Sequence, residues 1–231
     1  MSTTDTPEFE AIEPDINRIS VLIVDDDIWT TRALSYALVT EPGFHVLPPA
    51  DSGEFAVSSY QQNRPDVVLM DINMPNGING IDATRRIRML DPTASVVILS
   101  TCAPGPGLAR AIEAGAMATV HKTCPESTLR TVVRIAAGGD DPSMLKSLAG
   151  EIAIAGDPLP DTRLPSPKLT NRELDVLSLI CSGRGYHEIA SIHSVSVSTV
   201  KTQAKHLRTK LDAQNLAQLV VRALQYRFYS P

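Results

Sequence analysis

Short apolar runs alternating with amphipathic stretches between residues 19 and 137 restrict the fold of this chain more than any other feature. Val21-Leu22-Ile23-Val24, Val67-Val68-Leu69-Met70 and Val96-Val97-Ile98-Leu99 have the β-branched, uninterrupted character of strands buried on both faces. Phe44-His45-Val46-Leu47 and Ala118-Thr119-Val120-His121 are weaker, and Pro48 and Pro49 make the former an early-ending or edge strand. Between the runs, apolar residues recur at helical spacing: Leu34, Ala37 and Leu38; Ile81, Thr84 and Ile87; Leu129, Val132, Val133, Ala136 and Ala137. Alternation of this kind predicts a doubly wound (βα)5 α/β domain.

In an open parallel sheet, ligands collect beyond the C-terminal strand ends, where strand order reverses. The first run ends in Asp25-Asp26-Asp27, the third in Asp71, the fourth in Ser100-Thr101, and Lys122 follows the fifth. Carboxylates held together need a neutralising cation, and hard oxygen ligands with open water positions suit Mg²⁺. With Asp71 as nucleophile, the metal and Lys122 would offset charge on an acyl phosphate, and Ser100 could donate to a phosphoryl oxygen. Any single acidic residue here could simply cap its strand; four strand ends together favour a site.

Beyond Gly138-Gly139, a proline-rich stretch to Pro167 predicts a linker, interrupted by a helix from about Ser143 to Ala155. Everything after it reads as helix. Leu174, Leu177, Ser178 and Cys181 share one face, Glu188-Ile189-Ala190 begins a short second helix, and Ser194-Val195-Ser196 makes a turn. Ser196 or Ser198 can cap a third helix, with Val197, Val200, Ala204, Leu207 and Leu211 inward. Its other face carries Lys201, Lys205 and Arg208 beside Ser198, Thr199 and Thr202, which suits phosphates and base edges in DNA. A last helix presents Leu216, Leu219, Val220, Ala223 and Leu224.

Charge agrees with that division. From Lys168 onward there are nine Lys/Arg and four Asp/Glu, a local net of +5, whereas the remainder has a net of −10. No run approaches the ~18 apolar residues of a membrane span. Met1 to Arg18 is polar and acidic, unlike a signal segment, so the expected location is cytoplasmic. Cys102, Cys124 and Cys181 lack disulfide-framework or zinc spacing and read as reduced thiols. Trp29 is expected to pack locally, and His121 to be a satisfied structural histidine.

Two motif sets carry a family resemblance. Val21-Leu22-Ile23-Val24-Asp25-Asp26, Asp66 through Pro75, Leu99-Ser100-Thr101, Gly115-Ala116 and Lys122 make residues 19–137 resemble the response-regulator receiver domain. Leu169-Thr170-Asn171-Arg172-Glu173, Thr199-Val200-Lys201-Thr202 and Lys210-Leu211 make residues 167–231 similar to the four-helix LuxR-type helix-turn-helix domain. Residues 1–18 are then a tail and 138–166 a linker, and the arrangement is that of the NarL/FixJ-like two-component regulators. The resemblance implies Asp25 and Asp26 as acidic metal residues, Asp71 as phosphoacceptor and metal ligand, and Asn73 as a backbone carbonyl ligand. It implies Ser100 as switch hydroxyl, Lys122 as phosphoryl partner, Lys201, Thr202 and Lys205 facing bases or phosphates, and Thr199 holding the DNA backbone. A sensor histidine kinase, double-stranded promoter DNA and a homodimer in the active state are the implied partners.

Several positions depart from the family pattern. Thr119 stands where an aromatic switch residue is common, Gln203 where many relatives have histidine, and His121 at a usually apolar position. Ala103-Pro104-Gly105-Pro106-Gly107 replaces a usually acidic helix start and should shorten the fourth helix, and Asn76 to Asn79 is about one residue longer than usual. Two other readings stay open: a DNA-binding regulator controlled by a partner or redox signal, and a phosphatase using the same pocket.

Overall fold

The computed structural model describes residues 18–75, 77–100, 107–155, 159 and 166–231. Its first part runs β1 (Ile19–Val24), α1 (Ile28–Val39), β2 (Phe44–Val46), α2 (Gly53–Asn63), β3 (Val67–Asp71), α3 (Gly80–Leu90), β4 (Val96–Ser100), α4 (Leu108–Glu113), β5 (Ala118–His121) and α5 (Glu126–Gly138). The five strands form one sheet in the order β2-β1-β3-β4-β5, with every neighbouring pair parallel. Strand order therefore reverses between β1 and β3. β2 is an edge strand of three residues that ends before the two prolines, because a proline has no N–H for the ladder.

Side-chain alternation assigns each strand residue to a face. Leu22, Val24, Val68, Met70, Val96 and Ile98 pack with Ala56, Tyr60, Ile81, Ile87 and Ile112 of α2, α3 and α4. Val21, Ile23, Val67, Leu69, Val97 and Leu99 pack with Leu34 and Leu38 of α1 and Leu129 and Val133 of α5 on the other side. Each fully buried aliphatic side chain contributes about 1.5–3 kcal/mol, so this two-faced core holds the strand ends rigidly in register.

The later chain folds into α6 (Leu148–Ala155), α7 (Asn171–Cys181), α8 (Tyr186–His193), α9 (Val197–Lys210) and α10 (Leu216–Gln225). Thr170 and Glu173 form a reciprocal capping box that starts α7. Ser196 is the cap of α9, accepting from the Thr199 N–H, and α8 begins at Tyr186, two residues before the expected start. The expected linker helix is split into a 3₁₀ turn, Pro142–Leu145, and α6.

The apolar core on the α2–α4 face continues through Leu145, Leu148 and Ile152 into Val176, Ile180, Leu207, Leu219 and Val220. The linker is thus packed as part of the molecule. α10 is buried along most of its length, and three side chains fasten one side of it to the loop and helix of α4. Asn215 Nδ2 donates to the carbonyls of Gly115 and Ala116, both at 3.1 Å. Gln218 Nε2 donates to the carbonyls of Ile112 and Glu113, and Arg222 forms a two-point ion pair with Glu113 at 2.8 and 2.9 Å.

One expectation changes at the surface, whereas the fourth helix is short, as expected. Trp29 is 72% exposed, with Arg32 over its ring, because Ile28 and Trp29 fall on the outer side of α1. α4 has six residues and begins after Gly107, whose φ of 120° is open to glycine. Ala103 to Pro106, Asn76 and Cys102 lie outside the described residues.

Candidate functional site

The pocket forms at the β1/β3 reversal. Asp25 follows β1, Asp71 ends β3, and Lys122 follows β5, so three rigid strands deliver the charged groups to one point. One carboxylate oxygen each from Asp25, Asp26 and Asp71 lies within 4.8 Å of the others. Asp25 and Asp71 are buried, whereas Asp26 and Asn73 are exposed at the rim. Lys122 Nζ sits 2.7 Å from Asp25 Oδ2 and 3.2 Å from Asp71 Oδ1, bridging the two buried acids.

Burial pushes the Asp71 carboxyl above its ordinary pKa; Lys122 opposes this and Asp25 adds to it. For Lys122 burial disfavours the charge, but Asp25 and Asp71 outweigh it and its pKa is raised. The lysine therefore stays an ammonium and holds negative charge in the pocket. Asp25 Oδ1 accepts from the Asp27 N–H at 3.0 Å. Its Oδ2 is buried, with the Lys122 ammonium at 2.7 Å beside it. Three carboxylates that bring oxygens within 4.8 Å of one another from two strand ends are the hard donors a small divalent cation takes, so the residues present fit Mg²⁺.

Ser100 ends β4 as expected, but its hydroxyl is turned across the sheet. Oγ lies 3.3 Å from His121 Nδ1 and 3.5 Å from the Val120 carbonyl. Sequence reasoning also passed over Gly80. A Cβ there would lie 1.8 Å from the Asp71 carbonyl oxygen, and the Gly80 N–H donates to the carbonyl of Ile72. The β3–α3 turn can close over the Asp71 carbonyl only with glycine at this point. Gly80→Ala is expected to destabilise the protein by about 1–3 kcal/mol, read as a lower urea midpoint, and to displace Asp71 as well. An unchanged midpoint would show that the turn has room.

In the C-terminal part, α8, the turn at Ser194 (φ 52°) and α9 make a helix-turn-helix. Thr199, Lys201, Thr202 and Lys205 are exposed along α9, and the Thr202 hydroxyl donates to the Ser198 carbonyl. Lys201 also lies over the Tyr186 ring. Arg208 is separated from them by its contacts, donating to Gln214's carbonyl and to Asp140 Oδ2 at 3.4 Å. The same Asp140 oxygen accepts from the Leu216 N–H at 2.8 Å, at the start of α10. The sequence offered no signal for that contact, since Asp140 stands among linker residues.

A doubly wound domain with this acidic strand-end pocket, joined to a helix-turn-helix, defines a phosphoryl-receiving domain coupled to a DNA-binding one. Residues 21–134 match the family of response regulator receiver domains, and residues 167–223 match bacterial regulatory proteins of the luxR family. The oxygen regulatory protein NreC of Staphylococcus carnosus is 32% identical over 90% of this chain and 97% of its own length. The transcriptional regulatory protein LiaR of Bacillus subtilis is 31% identical over 89% and 96%. The signal receiver domain of a NarL response regulator from Mycobacterium tuberculosis superposes with a TM-score of 0.50 at 24% identity, over 53% of this chain and 98% of that one. The chain belongs to the two-component response regulators with a LuxR-type DNA-binding domain, a family of transcription regulators. No helix among the described residues is long and apolar enough to cross a membrane.

Proposed function

We propose that Asp71 receives a phosphoryl group from the phosphohistidine of a cognate sensor histidine kinase, and that this controls dimerisation and promoter binding. The observation carrying the reading is the cluster of Asp25, Asp26 and Asp71 within 4.8 Å, bridged by Lys122. In the transfer, an Asp71 carboxylate oxygen bonds to phosphorus while the phosphorus–nitrogen bond breaks and imidazole leaves. Lys122 stays beside Asp71 and pairs with the charge that arrives. Ser100, once turned from His121, donates its hydroxyl to a phosphoryl oxygen. Asp25, Asp26, Asp71 and the backbone carbonyl of Asn73 would hold Mg²⁺, which supplies positive charge opposite the phosphoryl oxygens.

On the output side, Lys201, Thr202 and Lys205 meet bases and phosphates in the major groove, and Thr199 holds the backbone. Arg208 joins them when Asp140 releases it. The active form is a homodimer on paired half-sites of promoter DNA, in the cytoplasm. The protein is a switch and turns over no external substrate. Control by thiol oxidation is disfavoured at the described cysteines, because burial raises the Cys124 thiol pKa and pushes that of Cys181 up to about 12.

Two measurements test this reading. Full-length protein incubated with acetyl phosphate and Mg²⁺ should give a retarded band on a phosphate-affinity gel, and excess EDTA should remove it. Equal modification in EDTA would sink the metal assignment. Lys201→Ala and Lys205→Ala should each weaken promoter binding and lower the slope of log K against log salt by about 1. An unchanged slope would remove that lysine from the interface.

A further inference from the structure

Thr119 cannot act as an aromatic switch, yet β5 still makes a polar connection to the linker helix. Thr119 Oγ1 donates to Glu151 Oε2 at 3.0 Å, and His121 Nε2 lies 3.7 Å from Glu151 Oε1. Glu151 is on α6 and is 7% exposed. On its other side, His121 Nδ1 meets the Ser100 hydroxyl at 3.3 Å. Neighbouring polar groups therefore run from the rim of the Asp71 pocket through one imidazole to a buried carboxylate on the linker helix, the last step being a 3.7 Å contact rather than a hydrogen bond.

We propose that His121 and Glu151 are positioning residues that relay the phosphorylation of Asp71 to α6, in place of an aromatic rotation. The inference rests on Asp71 and Ser100 acting as proposed above. The Ser100 hydroxyl has a single proton, and it cannot face a phosphoryl oxygen while it lies between the Val120 carbonyl and His121 Nδ1. When Ser100 turns to the phosphoryl group, its contact with Nδ1 is lost and the His121 ring shifts against Glu151. The buried Glu151 carboxylate is then less well paired, and it loses stability as that pairing weakens.

α6 is sensitive to such a loss. Eight residues do not sustain a helix alone in water, so α6 depends on its packing and on the Glu151 contacts. It packs against both α4 and α10. Loosening α6 therefore weakens the seat of α10 on the receiver.

The test is amide hydrogen exchange of residues 148–155 in the full chain, with and without acetyl phosphate and Mg²⁺, phosphorylation being read separately on the phosphate-affinity gel. In wild type, phosphorylation should speed exchange in this segment by about tenfold, as local opening becomes easier. His121→Phe and Glu151→Gln should exchange faster before phosphorylation, then show no further rise although the gel band is retained. Loss of the phosphate response with the band intact separates a relay from simple packing, and two variants guard against one failing to fold. Phosphorylated wild type with unchanged α6 exchange, or a full phosphate response in both variants, overturns the relay alone. Absence of any wild-type band overturns the relay together with the Asp71 assignment.

Discussion

Asp71→Asn is expected to abolish the retarded phosphate-affinity band and to hold DNA affinity and dimer fraction at their phosphate-free values whatever kinase or acetyl phosphate is added. The amide has the shape of the carboxylate but lacks the nucleophilic oxygen, so the loss should reach the limit of detection. The fold should survive. Burial already disfavours the Asp71 charge, and Lys122 keeps its partner Asp25 at 2.7 Å when Asp71 becomes neutral. Unfolding free energies should therefore differ by no more than about 1 kcal/mol. Gel electrophoresis, light scattering and promoter binding measured on one preparation give the answer. If the variant dimerised and bound promoter DNA like phosphorylated wild type, Asp71 would not be the switch.

The parts of this architecture legible in the sequence are those governed by local pattern. Strands buried on both faces announce themselves as β-branched runs, and their polar ends could be assigned to one pocket because a parallel sheet has one C-terminal edge. The convergence of Asp25, Asp26 and Asp71 and the bridging by Lys122 follow from that rule. Contacts between elements distant in sequence were not legible. The Asn215, Gln218 and Arg222 side chains look like ordinary polar positions on an amphipathic helix, yet they meet residues about 100 positions earlier. The direction of the Ser100 hydroxyl is similar, since it depends on His121 in the neighbouring strand. Gly80 escaped notice because its constraint is the space beside the Asp71 carbonyl, and neither periodicity nor turn chemistry encodes that.

Those long-range contacts give the output its second test. Glu113→Lys is expected to raise phosphate-free promoter affinity and dimer fraction, and the double variant Glu113→Lys, Arg222→Glu to restore the wild-type response. Glu113 is on the receiver, outside both the DNA-contacting face and α10, so changing it alters the seam without touching either output surface. The pair is partly buried, with side chains 22% and 19% exposed, and has two hydrogen bonds of 2.8 and 2.9 Å. Hydrogen bonds to charged groups in such settings contribute about 1.5–3 kcal/mol, and reversal adds repulsion to their loss. Moving a two-state equilibrium from 1:99 to 99:1 takes about 5.5 kcal/mol, so the single variant should move the population part of the way. A phosphate-free affinity gain of about tenfold corresponds to 1.4 kcal/mol of that shift. Asn215 and Gln218 still hold α10 to the carbonyls around α4, which is why phosphorylation should add a further increase. Equal phosphate-free binding by wild type and Glu113→Lys would mean that the ion pair fastens the seam without restraining the output. Restoration by the double variant would assign the effect to that one contact, because no other partner of Glu113 is exchanged.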